Sequence, residues 1–110
     1  MIDWMQIKEL RDDVGAEDFE EVVDIFIEEV AEIVDRLRSA PRHETLGAAL
    51  HAVKGSALNL GFTHFAALCQ TGETLANEGR ADEIVLQPIL DAFETSKTSF
   101  LSGLAEGAAA

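Results

Sequence analysis

The chain predicts an all-α fold, an antiparallel up-down-up-down four-helix bundle with a short N-terminal cap helix, on three observations. Ala, Leu, Glu and Asp recur throughout, aromatics make up only 6% and Tyr is absent, a composition that favours helix over pleated sheet. Apolar residues return at gaps of three and four, the period of a helix with one buried face. The joints between these stretches are short, so consecutive helices must fold back on one another.

Asp3 can cap a first helix running to about Asp13, with Ile7 and Leu10 inward and Gly15 as its stop. A longer helix is expected from about Ala16. Phe19, Val23, Phe26, Val30, Ile33 and Leu37 form its apolar stripe, widened by Val22, Ile27 and Val34. Glu17, Asp18, Glu20 and Glu21 fill its first turns and Arg36 and Arg38 its last, as the helix dipole favours. Ile25 lies off that stripe, and burial beneath the cap helix is the expectation.

After Ala40-Pro41, Leu46, Leu50, Val53, Ala57 and Leu60 mark a third helix that stops at Gly61. Thr63 is positioned to cap a fourth, with Phe65, Leu68, Gly72 and Leu75 inward and Gly79 as its end. The joint at Gly61 makes these two helices an antiparallel hairpin. The last helix starts near Leu86 to Pro88 and runs through Phe93 and Phe100 to about Gly103, unless Asp82 caps an earlier start and Pro88 is a kink. At 110 residues the chain fits one domain, expected over residues 1–104, with 105–110 as a frayed tail or linker stub.

Charge narrows the classes of function. With 21 acidic against 8 basic residues, the formal charge of -13 disfavours nucleic acid and anionic membranes as partners. No apolar run approaches the roughly 20 residues needed to cross a bilayer. The single cysteine, Cys69, cannot close an internal disulfide and reads as a small buried hydrophobe. No basic-plus-apolar leader precedes the first helix, so cytoplasm is the expected compartment. The acidic side chains of the second helix read as a solvated face or as a means of discriminating partners by charge.

The chemistry concentrates on His51. Its neighbours three and four positions away are Gly47, Ala48, Lys54 and Gly55, three very small residues and a cation. With about 100° per residue, His51 points roughly 140° from the core direction of its helix and Lys54 roughly 80°. The ring should stand open on a low surface with an ammonium in reach. Two glycines within a helix cost about 1 kcal/mol each, so something must compensate. Close helix packing competes with partner clearance at Gly47, whereas Gly55 faces away from the core and favours clearance. A neutral imidazole nitrogen is a nucleophile, and a nearby cation disfavours its protonation. Leu58, about 120° off the core stripe, either packs on the fourth helix or meets a partner.

The run His51-x-x-Lys54-Gly55-Ser56, followed by Leu60-Gly61-Phe62, resembles the signature of histidine phosphotransfer (HPt) domains, including the N-terminal module of chemotaxis-type histidine kinases. Phe26 and the pair Leu68-Cys69 also fit that family, and free-standing bacterial carriers are resembled as much as kinase-attached modules. The resemblance implies a phosphocarrier in a two-component phosphorelay or chemotaxis pathway. His51 would be the phosphoacceptor, Lys54 the phosphate-side cation and Gly55 the source of steric clearance; the low patch of Gly47, Ala48 and Gly55 read from the helix face, with Leu58 as a candidate beside it, is the expected partner surface. Ser56 is a signature position, but its offset suggests a boundary hydroxyl bonding back to the carbonyl of Ala52. One departure is Gly72-Glu73-Thr74 where many relatives place Leu-Glu, expected to loosen the core locally and leave the His51 site untouched.

The implied partners are a response-regulator receiver domain, which brings the acceptor aspartate and Mg2+, and a histidine kinase catalytic domain or hybrid-kinase receiver as donor. The chain itself should bind no cofactor, no nucleic acid and no membrane, and act as a monomer. No Gly-rich phosphate loop is present, so it is a relay without its own ATP site, although a parent protein could be a kinase. The rival reading is a helical interaction module that binds a receiver or dimerises without transfer. A metal bundle is disfavoured: His43 and His51 would be about 12 Å apart along one helix, with no H-x-x-x-H or C-x-x-C.

Overall fold

The computed structural model describes residues 2–107. Within them the chain forms α1 (Trp4–Val14), α2 (Phe19–Ser39), α3 (His43–Asn59), α4 (Thr63–Asn77) and α5 (Leu86–Ala105), with a 3-10 turn at Ala81–Glu83 and no strand. The expected all-helical class and the sequence's element order are therefore both observed.

Most boundaries follow local chemistry. The Asp3 carboxylate accepts from the backbone N–H of Met5 and Gln6, and Gly15 at φ 89° ends α1. α2 begins at Phe19 rather than near Ala16, because residues 16–18 turn after Gly15, with the Asp18 N–H donating to the Gly15 carbonyl. Thr63 is the first residue of α4 and Phe62 occupies the cap position ahead of it. Pro88 is the third residue of α5, where a missing N–H deprives no helical bond, so neither a kink nor a start at Asp82 is needed. α5 continues two residues past Gly103 to Ala105; the expected tail over 105–110 falls partly on residues 108–110, outside the described residues.

α3 packs against α2 and α4, α5 packs against α4 and α2, and α1 lies on α2 and α3. The core between them is continuous from Leu37 and Leu46 to an aromatic end where Phe62 meets Phe100 at 5.6 Å and Phe65 meets Phe93 at 5.5 Å. Trp4 stacks on Phe100 at 5.7 Å and lies directly over Gly103, which fastens α1 to α5. On α4, Ala66 and Cys69 are buried with Phe65 and Gly72, while Leu68 and Leu75 are half-buried. Burial pushes the Cys69 thiol up to about 12, so it stays protonated and inert.

Ile25 is corrected by the structure: it is half exposed, not covered by α1. It sits roughly 130° from the centre of the α2 stripe, too far round the helix for α1 to reach while Ile7 and Leu10 enter the core. Gly72 does not loosen the interior either, since Leu50 Cδ1 occupies the space a Cβ would need, with Ile84 and Ile89 beside it.

The turn between α3 and α4 fixes the position of the site. Gly61 has φ 71°, and its carbonyl accepts from the Asp3 N–H at 2.8 Å. A Cβ there would lie 2.6 Å from the Asp3 carbonyl oxygen, in a backbone region that L residues avoid. Gly61→Ala should therefore lower stability by about 2 kcal/mol or more, a drop of roughly 10 °C in thermal melts followed by circular dichroism. An unchanged melting temperature would refute that account of the turn.

Candidate functional site

α3 and α4 run antiparallel: residue numbers fall along α4 as they rise along α3, with Gly47 facing Ala76, His51 facing Glu73 and Lys54 facing Gln70. That register, set by the turn at Gly61, brings two polar side chains of α4 to this face of α3, Glu73 to His51 and Lys54, and Gln70 to Lys54. His51 Nδ1 lies 2.6 Å from Glu73 Oε2. Lys54 Nζ donates to Glu73 Oε1 and to Gln70 Oε1, both at 2.7 Å. One carboxylate is thus shared between the imidazole and the ammonium.

Exposure divides these groups by task. The His51 side chain is 68% exposed, whereas Glu73 is 13% and Lys54 20% exposed. The ring stands in solvent on a support held at the helix interface. The Lys54 hydrogen bond, with His51 bonding and charge adding to it, holds the Glu73 carboxyl below its ordinary range despite partial burial. An ionised carboxylate can only accept, so the proton of the 2.6 Å bond belongs to Nδ1. In the neutral ring Nε2 is then the nitrogen with a free lone pair, on a side chain that is largely exposed.

The lone cation expected beside His51 is, in the structure, one half of an ion pair with Glu73. Glu73 and Gln70 are the residues that sequence reading missed, and the segment Gly72-Glu73-Thr74, expected to leave the site untouched, supplies its carboxylate. The signal was the hairpin register itself: a helix pair turning about Gly61 and Phe62 places position 73 opposite 51 and position 70 opposite 54. Ser56 also differs from expectation, since its hydroxyl makes a long 3.5 Å contact with Glu29 on α2 and not a bond to Ala52.

Around the ring the surface is low. Ala48 and Gly55 are exposed, and a Cβ added at Gly55 would meet nothing within 4 Å. At Gly47 a Cβ would come 2.8 Å from that of Ala76, so close packing of α3 on α4 accounts for that glycine. Leu58 is 51% exposed and borders a shallow hollow of about 260 Å³ with Ala66, Ala67 and Gln70. His43 and His64 stand exposed at the first turns of α3 and α4, away from this network.

Gly55 is spared by no packing need, yet it costs helix stability. Gly55→Gln should therefore raise the melting temperature, by up to about 1 kcal/mol of added stability, because the added side chain meets nothing within 4 Å of its Cβ. An unchanged or lowered melting temperature would contradict the open surroundings of Gly55.

No helix among the described residues is long and apolar enough to cross a membrane. Neither a curated protein nor a solved structure matches the chain significantly. A family model described as Hpt domain matches residues 21–100, a span that includes α3, α4 and every residue of the His51 network. With well over half its length so matched, the chain belongs to the Hpt domain family, whose domains serve histidine phosphotransfer in phosphorelays.

Proposed function

We propose that this chain is a histidine phosphocarrier in which His51 Nε2 accepts a phosphoryl group from a kinase or an upstream receiver and yields it to a receiver aspartate. The observation that carries the reading is the exposed ring held through Nδ1 by an ionised carboxylate. When Nε2 attacks phosphorus while Nδ1 keeps its proton, the ring gains positive charge. Glu73, 2.6 Å from Nδ1, stabilises that charge as it forms. Positioning and charge neutralisation dominate phosphoryl transfer, and here they are divided between proteins. This chain supplies nucleophile and counter-charge, and the receiver brings its aspartate and Mg2+.

Lys54 has two parts in this scheme. At rest it keeps Glu73 ionised; once the ring carries phosphorus, its ammonium is one carboxylate away and can turn toward the new dianion. Lys54→Ala should preserve helicity and slow transfer about 10-fold, measured by single-turnover discharge to a receiver. Unchanged kinetics would remove both roles.

Ala48, Gly55 and Leu58 form the partner face beside the ring, with Gly47 beneath it as packing. We assign α2 to α5 an up-down-up-down order, supported by the antiparallel register of α3 on α4, the closed circuit of helix contacts and dimensions of 43 × 22 × 21 Å, about two helices wide in each short direction. A cytoplasmic monomer fits this role.

The test is phosphorylation with a histidine kinase and labelled ATP. Label on the chain that is lost in acid, survives base and passes to a receiver on addition of Mg2+ supports the carrier. A chain that binds the receiver yet never takes up label would be an interaction module instead.

A further inference from the structure

The Glu73–Lys54 pair has a second support that the scheme above does not use. Gln70 Oε1 accepts from Lys54 Nζ at 2.7 Å, and Gln70 Nε2 donates to Thr74 Oγ1 at 3.2 Å. Gln70, Glu73 and Thr74 are three and four residues apart on α4, so one helical face carries the whole assembly. Thr74 gives the amide a direction: with its NH2 bonded to the hydroxyl, its oxygen must face Lys54. An amide turned the other way would present N–H groups to an ammonium.

We propose that Gln70, oriented by Thr74, is a positioning residue for the phosphoacceptor: it holds Lys54 on Glu73, so that Glu73 stays aimed at Nδ1 and the His51 ring keeps the tautomer whose Nε2 lone pair is free. Without the Gln70 acceptor, the Lys54 ammonium has one fixed bond in place of two and is drawn into solvent. Glu73 then shares its charge with water, and the ring redistributes toward the Nε2–H form. That form places a proton where phosphorus must arrive.

The inference rests on His51 being the phosphoacceptor, and a small donor separates the two claims because it requires no protein docking. With phosphoramidate, the Nε2 lone pair forms the new N–P bond as the reagent's P–N bond breaks. The departing nitrogen leaves as ammonia with the hydrogens it already carries.

The variants are Gln70→Met, similar in length and without polar atoms, Thr74→Val and Thr74→Ser. Each sits on an exposed position, so all should melt close to the parent. The expected result is a labelling rate about 3-fold lower in Gln70→Met, as for the loss of one hydrogen bond, a smaller loss in Thr74→Val and full recovery in Thr74→Ser. Ring 15N shifts of His51, recorded where the imidazole is neutral, should show the Nδ1–H population falling in the same order. Wild-type labelling with an unaltered rate in Gln70→Met overturns the positioning role and leaves the carrier reading intact. A slower rate with an unaltered tautomer ratio overturns it too. Equal labelling of wild type and His51→Gln instead removes the carrier reading, and the positioning role with it.

Discussion

His51→Gln should abolish acid-labile phosphorylation by either a kinase or phosphoramidate while moving the melting temperature by no more than about 2 °C. The two halves of that result have separate causes. The side chain is 68% exposed and packs against nothing the core needs, and Gln is as good a helix former as most residues. Its amide N–H can also take over the bond to Glu73, leaving the Lys54 pair undisturbed. What it cannot supply is a nitrogen lone pair able to bond phosphorus. Equal acid-labile label in the variant would locate the phosphoacceptor elsewhere. His43 and His64 are the other two histidines, and among the described residues neither ring makes an ion pair or hydrogen bond with a carboxylate as His51 does.

The helices and the open surroundings of His51 were legible in the sequence because both depend on local pattern. The alternating gaps in α2, the glycines that end α1 and α4, and the small residues around His51 all act within a few positions along the chain. Ile25 and Ser56 were misplaced because their surroundings are set by which helix lies opposite, and periodicity does not contain that information. Glu73 was hidden for a related reason. On α4 alone it is one acidic residue among the 21 of the chain, with nothing local to distinguish it. Only pairing α3 with α4 about Gly61 makes it a partner of His51, so the hairpin expectation held the answer without the register being worked out.

That shared carboxylate leads to an ordering of variants that simple loss of charge does not give. Glu73→Gln should slow phosphorylation of His51 by about 10²-fold, and Glu73→Ala by only about 10-fold. An amide at this position has one acceptor and one donor group where the carboxylate has two acceptors. Lys54 can only donate, so it takes the amide oxygen and leaves the NH2 facing Nδ1. A donor at that point binds the Nδ1 lone pair and drives the proton to Nε2, the nitrogen that must attack. Alanine removes the partner without imposing the wrong tautomer, and free imidazole still populates the reactive form. The isosteric change should therefore damage the reaction more than the truncation, with 15N shifts of the ring reporting Nε2–H in Glu73→Gln and a mixture in Glu73→Ala. If truncation proves the worse of the two, the carboxylate acts through charge alone and the tautomer argument fails.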